Sequence, residues 1–316
     1  MLTPSNTSSK SDVSQREPES SPERSSENFP KIAPEHMQEL AQEQTQEHPR
    51  EHPREHSWEH PQKQPRVSII TAVLNGEAHL SDAIQSIRDQ TYPHIEHIIV
   101  DGGSKDGTVS IIQAHADGIS RWISEPDQGI YDAMNKGIRM ATGTIVGMLN
   151  ADDFYPRSDV IHDVVQTFAQ TRADAVFADL LVVGRNDPRK VVRFYDSSDF
   201  HPGRFCQGWM PPHPTFFTLR EHYIRLGFYR TDYRIAADYE LLTRFLARHG
   251  LAYARIPKIL VHMRSGGVSS RNLKSNWVLN QEIVRACKEN NIRTSMPRLL
   301  CKYPRKLLEY VRRPKG

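Results

Sequence analysis

Two apolar runs in this chain each end in a cluster of acids, and that pair of features most restricts the folds open to it. Ile98-Ile99-Val100 breaks into Asp101-Gly102-Gly103-Ser104-Lys105-Asp106-Gly107-Thr108, and Ile145-Val146-Gly147-Met148-Leu149 breaks into Asn150-Ala151-Asp152-Asp153. A β-branched run that stops at Gly, Ser and Asp reads as a buried strand delivering carboxylates to the C-terminal edge of a sheet. In open α/β sheets that edge is where ligands bind. Carboxylates repel a phosphate unless a divalent cation stands between them, and Mg²⁺ and Mn²⁺ are hard ions that favour oxygen ligands. The arrangement points to a metal-assisted site for a nucleotide diphosphate.

The rest of the pattern agrees with an α/β fold. Val67 to Val73 reads as a strand closing on Asn75-Gly76, and Leu80, Ala83, Ile84 and Ile87 follow at helical spacing. Ile95 to Val100, Trp122 to Ser124, Thr144 to Leu149 and Ala175 to Val183 read as further strands. Helices are predicted over 108–116 and 130–141, and another from Val160 through Phe168. Strands alternating with helices imply a mostly parallel sheet built of βαβ units, with helices on both faces. Beyond residue 185 the alternation loosens: a strand over Val191 to Tyr195, a Pro-rich loop over 202–214, a helix over 236–248, an edge strand over 252–262 and a helix near 275–290. The economical partition is one folded domain over 66–297, with a nucleotide half (66–185) and an acceptor half (186–297).

The flanks differ in kind. Residues 1–65 are rich in Ser, Glu, Gln, His and Pro, and such a segment buries too little apolar surface to offset its ordering entropy, so it reads as a disordered tail. Its repeat, Glu47-His48-Pro49-Arg50 and Glu51-His52-Pro53-Arg54, spaces histidines by four, but the prolines oppose a helix. A solvated linker is the reading, with weak metal capture as the sharper alternative. Residues 298–316 form a basic amphipathic end suited to peripheral contact with an anionic membrane, or to packing on the domain. The formal net charge is +3, and no basic face outside this end supports nucleic-acid binding. The three cysteines make no CxxC pair, which fits a reducing compartment. No apolar run nears the ~20 residues of a membrane span, and no secretory signal is visible, so the expected location is the cytoplasm.

Val67-Ser68-Ile69-Ile70-Thr71, Val100-Asp101-Gly102-Gly103-Ser104-Lys105-Asp106-Gly107-Thr108, Asn135-Lys136-Gly137 and Leu149-Asn150-Ala151-Asp152-Asp153 resemble, in order and spacing, the pattern of glycosyltransferase family 2. The stretch Glu125-Pro126-Asp127-Gln128-Gly129-Ile130-Tyr131-Asp132-Ala133-Met134-Asn135-Lys136-Gly137 is similar to a subgroup making bacterial surface polysaccharides. The resemblance covers about residues 66–268 and implies the GT-A fold, a Rossmann-like mixed sheet binding a nucleotide-sugar and Mn²⁺ or Mg²⁺. It implies that Asp101 and Thr71 contact the nucleoside. Asn135 and Lys136 are carried over to the nucleotide-sugar side with Asn150, Ala151 and Asp152, which match the DXD region. Asp152 matches the metal-touching acid, with His262 as a further candidate ligand, and Asn150 departs from the pattern by offering a carbonyl oxygen without charge. Asp238 matches the general base. Glu240 is the runner-up for that role, and His213 lies in a segment bordering the acceptor.

The activity implied is inverting, metal-dependent transfer of one sugar from a nucleotide-sugar, with UDP as the first candidate base. The acceptor is a glycan or lipid-linked hydroxyl in surface-glycan assembly. A single base with no protein nucleophile suffices for that scheme. Two competing readings share the scaffold. A sugar-nucleotide pyrophosphorylase would carry a Gly-rich, Arg-containing loop after the first strand, where Thr71-Ala72-Val73-Leu74-Asn75-Gly76 stands instead. A non-catalytic glycan- or nucleotide-binding module is favoured only by Asn150.

Overall fold

All seven positions of β1, Val67–Val73, are buried, as they must be in a strand whose sheet is covered on both faces. In the computed structural model, which describes residues 64–266 and 273–300, β1 lies between two parallel neighbours, β2 (Ile95–Asp101) and β4 (Ile145–Met148). β3 (Arg121–Ser124) extends the parallel set beyond β2. On the other side β4 pairs antiparallel with β7 (Phe217–Leu219), and β7 pairs antiparallel with β5 (Ala175–Val183). β5 also carries β6 (Val191–Tyr195) antiparallel and β8 (Tyr253–Arg264) parallel. The result is one mixed, mostly parallel sheet of eight strands.

Successive side chains of a strand point to opposite faces, and the core divides accordingly. Val73 joins Ile99 and Ile112 under helix α1 (Leu80–Arg88), whose buried stripe is Leu80, Ala83, Ile84 and Ile87. α2 (Thr108–Ala114) supplies Ile112 from the same side. Ile70, Ala72, Ile98 and Val100 face the opposite way, against Ala133, Met134 and Ile138 of α3 (Ile130–Met140). α3 comes very close to the sheet at Gly137, where a Cβ would stand 2.3 Å from Cγ2 of Ile70. Only glycine fits there.

The remaining helices are α4 (Val160–Thr171), α5 (Arg220–Leu226), α6 (Ala237–Leu242), α7 (Leu273–Glu289) and α8 (Met296–Leu300). The helix predicted over 236–248 is therefore split: α6 gives way at Thr243 to wider turns that run to Arg248. β7 and α5 had no counterpart in the sequence pattern. Three residues are too few to display a period of two, yet β7 is the strand that joins the two halves of the sheet. The loop expected over 202–214 contains short turns at Pro202–Gln207 and His213–Thr215.

Among the described residues no helix is long and apolar enough to cross a membrane, and Cys206 and Cys287 are free thiols. The histidine repeat, the rest of 1–63, residues 267–272 and the basic stretch 301–316 lie outside the described residues.

Candidate active site

The parallel strands β1, β2, β3 and β4 deliver their C-terminal ends to one edge. Asp101 closes β2 there and is fully buried. Its carboxylate accepts hydrogen bonds from the backbone of Gly103 (3.2 Å) and Ser104 (3.1 Å), from Ser124 Oγ (2.6 Å) and from Ser104 Oγ. Four donors fill the roughly four lone-pair sites of a carboxylate. Asp101 thus welds the turn after β2 to the end of β3, the capping role, rather than offering a free oxygen to a nucleoside. Thr71 is likewise fully buried, with Oγ1 3.1 Å from His97 Nε2. Burial drives the His97 imidazole down to about 3, so it is neutral. Both expected nucleoside-side residues are thus tied into the protein's own hydrogen-bond network at this edge.

What lies over this turn is Asp127. A Cβ on Gly102 would stand 2.2 Å from Asp127 Oδ2, so the glycine is what admits the acid. Asp127 Oδ1 accepts from the backbone of Gly129 (2.8 Å), just before α3 begins. Two expected donor-side residues on α3 are engaged elsewhere. Asn135 is buried, donates to Tyr229 O (2.8 Å) and accepts from Tyr229 N (2.9 Å), so its amide is bonded to the backbone of one residue. Lys136 donates to Pro126 O (3.1 Å) and lies 2.8 Å from Glu125 and 3.6 Å from Asp132. The bond to Glu125 raises its pKa. Both tie α3 to neighbouring segments of the protein.

The acid loop after β4 is different. Asp153 is buried and accepts from the backbone of Arg264 (3.2 Å) and from Asn150 Nδ2 (3.2 Å). Burial, and then the charge of Asp152, push its carboxyl well above the usual range. Asn150 Oδ1 is buried without a partner among the described residues, and Ala151 packs against the cluster containing Val73. Asp152 is about one-third exposed, with Arg185 Nη1 3.6 Å from its Oδ2. Arg264 lies beneath, bonded to Asp152 O (3.0 Å) and to Asp82.

His79, between these charges, is held below its ordinary value by burial first and then by Arg264 and Arg185. His262 comes beside the loop because its backbone pairs with Phe154 (3.1 and 2.9 Å), and its ring sits edge-on to Phe154 at 5.3 Å. Burial lowers its pKa. No set of three or more His, Cys, Asp or Glu among the described residues is arranged to hold a metal. One exposed carboxylate and one unpaired carbonyl oxygen nonetheless suit an ion of the Mg²⁺ kind, which takes one or two carboxylates and fills its shell with water and substrate phosphates.

Asp238 stands at the start of α6, with Oδ1 accepting from Tyr239 N (2.8 Å) and lying 3.5 Å from the Tyr131 hydroxyl. Burial raises its pKa to about 6, within the range that suits a base working near neutrality. The Tyr131 hydroxyl also donates to Ile235 O, and the Tyr131 ring stacks on Tyr229 at 5.9 Å. His213 Nε2 is 2.7 Å from the Tyr229 hydroxyl, and burial lowers the His213 imidazole to about 4. A neutral His213 therefore supports the tyrosine layer behind Asp238. A cleft of about 340 Å³ opens between Gln128–Asp132 and Thr231–Arg234, with Tyr131 in its wall.

Glu240, the runner-up for the base, is committed to an ion pair. It is buried and pairs with Arg244 through Nε–Oε1 (3.0 Å) and Nη2–Oε2 (2.9 Å), while Arg244 donates to the carbonyls of Leu226, Gly227 and Phe228. Breaking a buried pair leaves an uncompensated charge. Glu240→Ala is expected to lower stability by about 3–5 kcal/mol, read from the urea midpoint at unchanged m-value.

The sites connect through contacts. The Asp101 turn meets Asp127 at Gly102, Asp127 binds the backbone entering α3, and Tyr131 on α3 reaches Asp238. On the other side Asn75, after β1, bonds the Asp101 turn through Ser104 Oγ (2.7 Å) and Lys105 N (2.9 Å), while Ala151 packs on the end of β1. A run of contacts thus leads from the Asp152 loop through β1 and the Asp101 turn to Tyr131 and Asp238. A match to the family model described as "Glycosyl transferase family 2" covers residues 68–231, more than half the chain. The chain belongs to glycosyltransferase family 2.

Individual relatives agree with that assignment. A PGL/p-HBAD biosynthesis glycosyltransferase of Mycobacterium bovis is 31% identical over 226 residues, covering 70% of this chain and 83% of the relative. The mannosyltransferase PcManGT of Pyrobaculum calidifontis, solved with GDP-Man and Mn²⁺, is similar at TM-score 0.55 and 25% identity over 75% of this chain and 68% of that one. The S. aureus TarS fragment 1–349, solved with UDP-GlcNAc, shares the fold at TM-score 0.56 and 16% identity over 72% and 68%. The fold is GT-A and the enzyme is a glycosyltransferase, in preference to the pyrophosphorylase reading.

The sequence resemblance left several residues of this family 2 site without a role. Asp127 and Tyr131 lie inside the quoted Glu125–Gly137 stretch, so position alone marked them. Arg185 and the residues of α7 discussed below carry no local signal at all.

Proposed function

We propose that the protein is an inverting, metal-dependent glycosyltransferase moving one sugar from a nucleotide-sugar to a hydroxyl acceptor in glycolipid or surface-polysaccharide assembly. The observation that carries this reading is Asp238: a carboxylate of raised proton affinity, held by Tyr239 N and lying 3.5 Å from the hydroxyl of Tyr131, a residue of the cleft wall. The acceptor oxygen attacks the anomeric carbon from the face opposite the diphosphate. The bond from that carbon to the phosphate oxygen breaks, the nucleoside diphosphate leaves with the electron pair, and Asp238 takes the hydroxyl proton. Asp152, with the Asn150 carbonyl near it, would hold Mn²⁺ or Mg²⁺, which when bound neutralises charge developing on the leaving diphosphate. Arg185 stands beside Asp152 to add positive charge at the same place.

Relatives' names guide the choice of substrates. PGL/p-HBAD biosynthesis in the M. bovis relative supports a glycolipid-type acceptor. GDP-Man and UDP-GlcNAc in the two solved neighbours support a nucleoside-diphosphate sugar, with UDP tested first. The basic end 298–316 would keep the enzyme at the cytoplasmic membrane face near such an acceptor. The deciding test is a thermal-shift series of UDP-, GDP- and dTDP-sugars with and without Mn²⁺. One donor at 100 times its Kd is expected to add about 2.7 kcal/mol of stability, and only with metal. Nuclear magnetic resonance of the product made from that donor should show the anomeric configuration inverted. Retention, or stabilisation by a nucleoside triphosphate plus sugar phosphate with pyrophosphate release, would overturn the reading.

A further inference from the structure

One carboxylate outside the site described above is aimed at the backbone that carries the base. Glu282, in the middle of α7, accepts hydrogen bonds from three successive amides: Arg234 N at 2.7 Å, Ile235 N at 2.9 Å and Ala236 N at 2.8 Å. Ala236 immediately precedes α6, and Asp238 is its second residue. The Ile235 peptide is held from its other side as well, since Ile235 O accepts from Tyr131. Two turns further along α7 lies Glu289, which accepts from Arg230 (2.6 Å) and Tyr233 (2.7 Å). Residues seven apart share a helix face, so α7 presents two carboxylates to 230–236. The same segment forms one wall of the cleft.

We propose that Glu282 is a positioning residue for the general base, fixing the 234–236 backbone so that the Asp238 carboxylate is held beside the Tyr131 hydroxyl at the start of α6. The proposal rests on the reading of Asp238 as the base. A carboxylate binding backbone amides makes charge-assisted bonds, stronger than those between neutral groups. Three of them on consecutive peptides leave that backbone little freedom to shift. Geometry of this kind matters steeply, because a displacement of about 1 Å can cost about 10²-fold in rate.

Charge supplies a second consequence. The groups facing Asp238 are the Tyr131 hydroxyl from α3, the Tyr229 side chain before α6, and Glu282 from α7. Burial holds both tyrosines well above 10, so they are neutral. Burial is the main cause of the raised proton affinity of Asp238, and Glu282 adds to it in the same direction.

The test uses the full chain and the nucleotide-sugar that stabilises it, with release of nucleoside diphosphate as the readout. Glu282→Ala is expected to lower kcat about 10²-fold while donor Kd stays within about twofold. Glu282→Gln keeps an acceptor oxygen but no charge. It is expected to keep kcat within about tenfold and to move the acidic limb of the pH–rate profile downward, which a purely structural residue would not do. An Ala variant within threefold of wild type, or a Gln variant with an unmoved limb, would overturn the proposal. If the Ala variant does not fold, the Gln profile decides alone. Asp238→Asn separates the two levels: full activity there removes the base reading itself, whereas a large loss there with an unmoved Gln limb removes only the role of Glu282.

Discussion

Asparagine in place of Asp238 is expected to lower turnover by about 10²–10⁴-fold, the range that a positioned general base supplies, and to leave donor affinity intact. The separation follows from placement. In the proposed scheme Asp238 serves the acceptor, beside Tyr131, while the donor's charged portion is assigned to the Asp152 corner. Loss of the base should therefore appear in kcat and not in the binding of nucleotide with metal. In the wild-type enzyme the rate should rise with pH through about 6, because the carboxylate works ionised and burial holds its pKa there.

The same burial sets the sign of its effect on stability. A carboxyl whose pKa is higher folded than unfolded binds more protons in the native state between the two values. Stability then falls as pH rises from about 4 towards 6. Asp238→Asn removes that penalty and is expected to raise Tm at pH 7 by a few degrees. A variant that is slower and at the same time more stable marks a group kept at the site against its own solvation. A slower and less stable one would point to scaffolding.

The sheet-edge acids announced the fold because a buried strand and its Gly-Asp exit are local features. β1, β5 and β6 begin and end where the apolar runs do, and the stripe of α1 is the one its spacing dictates. The roles of individual polar side chains were much less legible. Asp101, Thr71, Asn135 and Lys136 sit in the right motifs at the right edge, yet each is engaged by a partner far along the chain or by its own turn. A motif fixes where a residue lies; satisfaction of its hydrogen bonds depends on neighbours that spacing cannot reveal. Asn135 illustrates this, since its partner Tyr229 lies in a segment with no periodic signal. Glu240 shows the converse case. Two acids two residues apart at the start of one helix differ because one lies beside the Tyr131 hydroxyl, and the other pairs with Arg244 in the core.

Removing the Asp152 carboxylate is expected to do the second-largest damage, about 10²–10³-fold in kcat/KM, of the order that loss of one electrostatic contact to the leaving group costs. Unlike the change at Asp238, Asp152→Ala should also abolish the metal-dependent part of nucleotide binding. The local charges explain why affinity should not vanish altogether. Arg185 is about half exposed and only 3.6 Å from Asp152, an ion pair of the exposed kind worth at most about 1 kcal/mol. It separates easily, and without Asp152 its guanidinium is free to meet the diphosphate directly. Thermal-shift titration of Asp152→Ala should thus show residual nucleotide binding that is insensitive to Mn²⁺ and to EDTA and weakens with salt. Asp152→Ala combined with Arg185→Ala should lose that remainder. Retention of a full metal-dependent shift in Asp152→Ala would move the ion elsewhere, with His262 the next residue to replace.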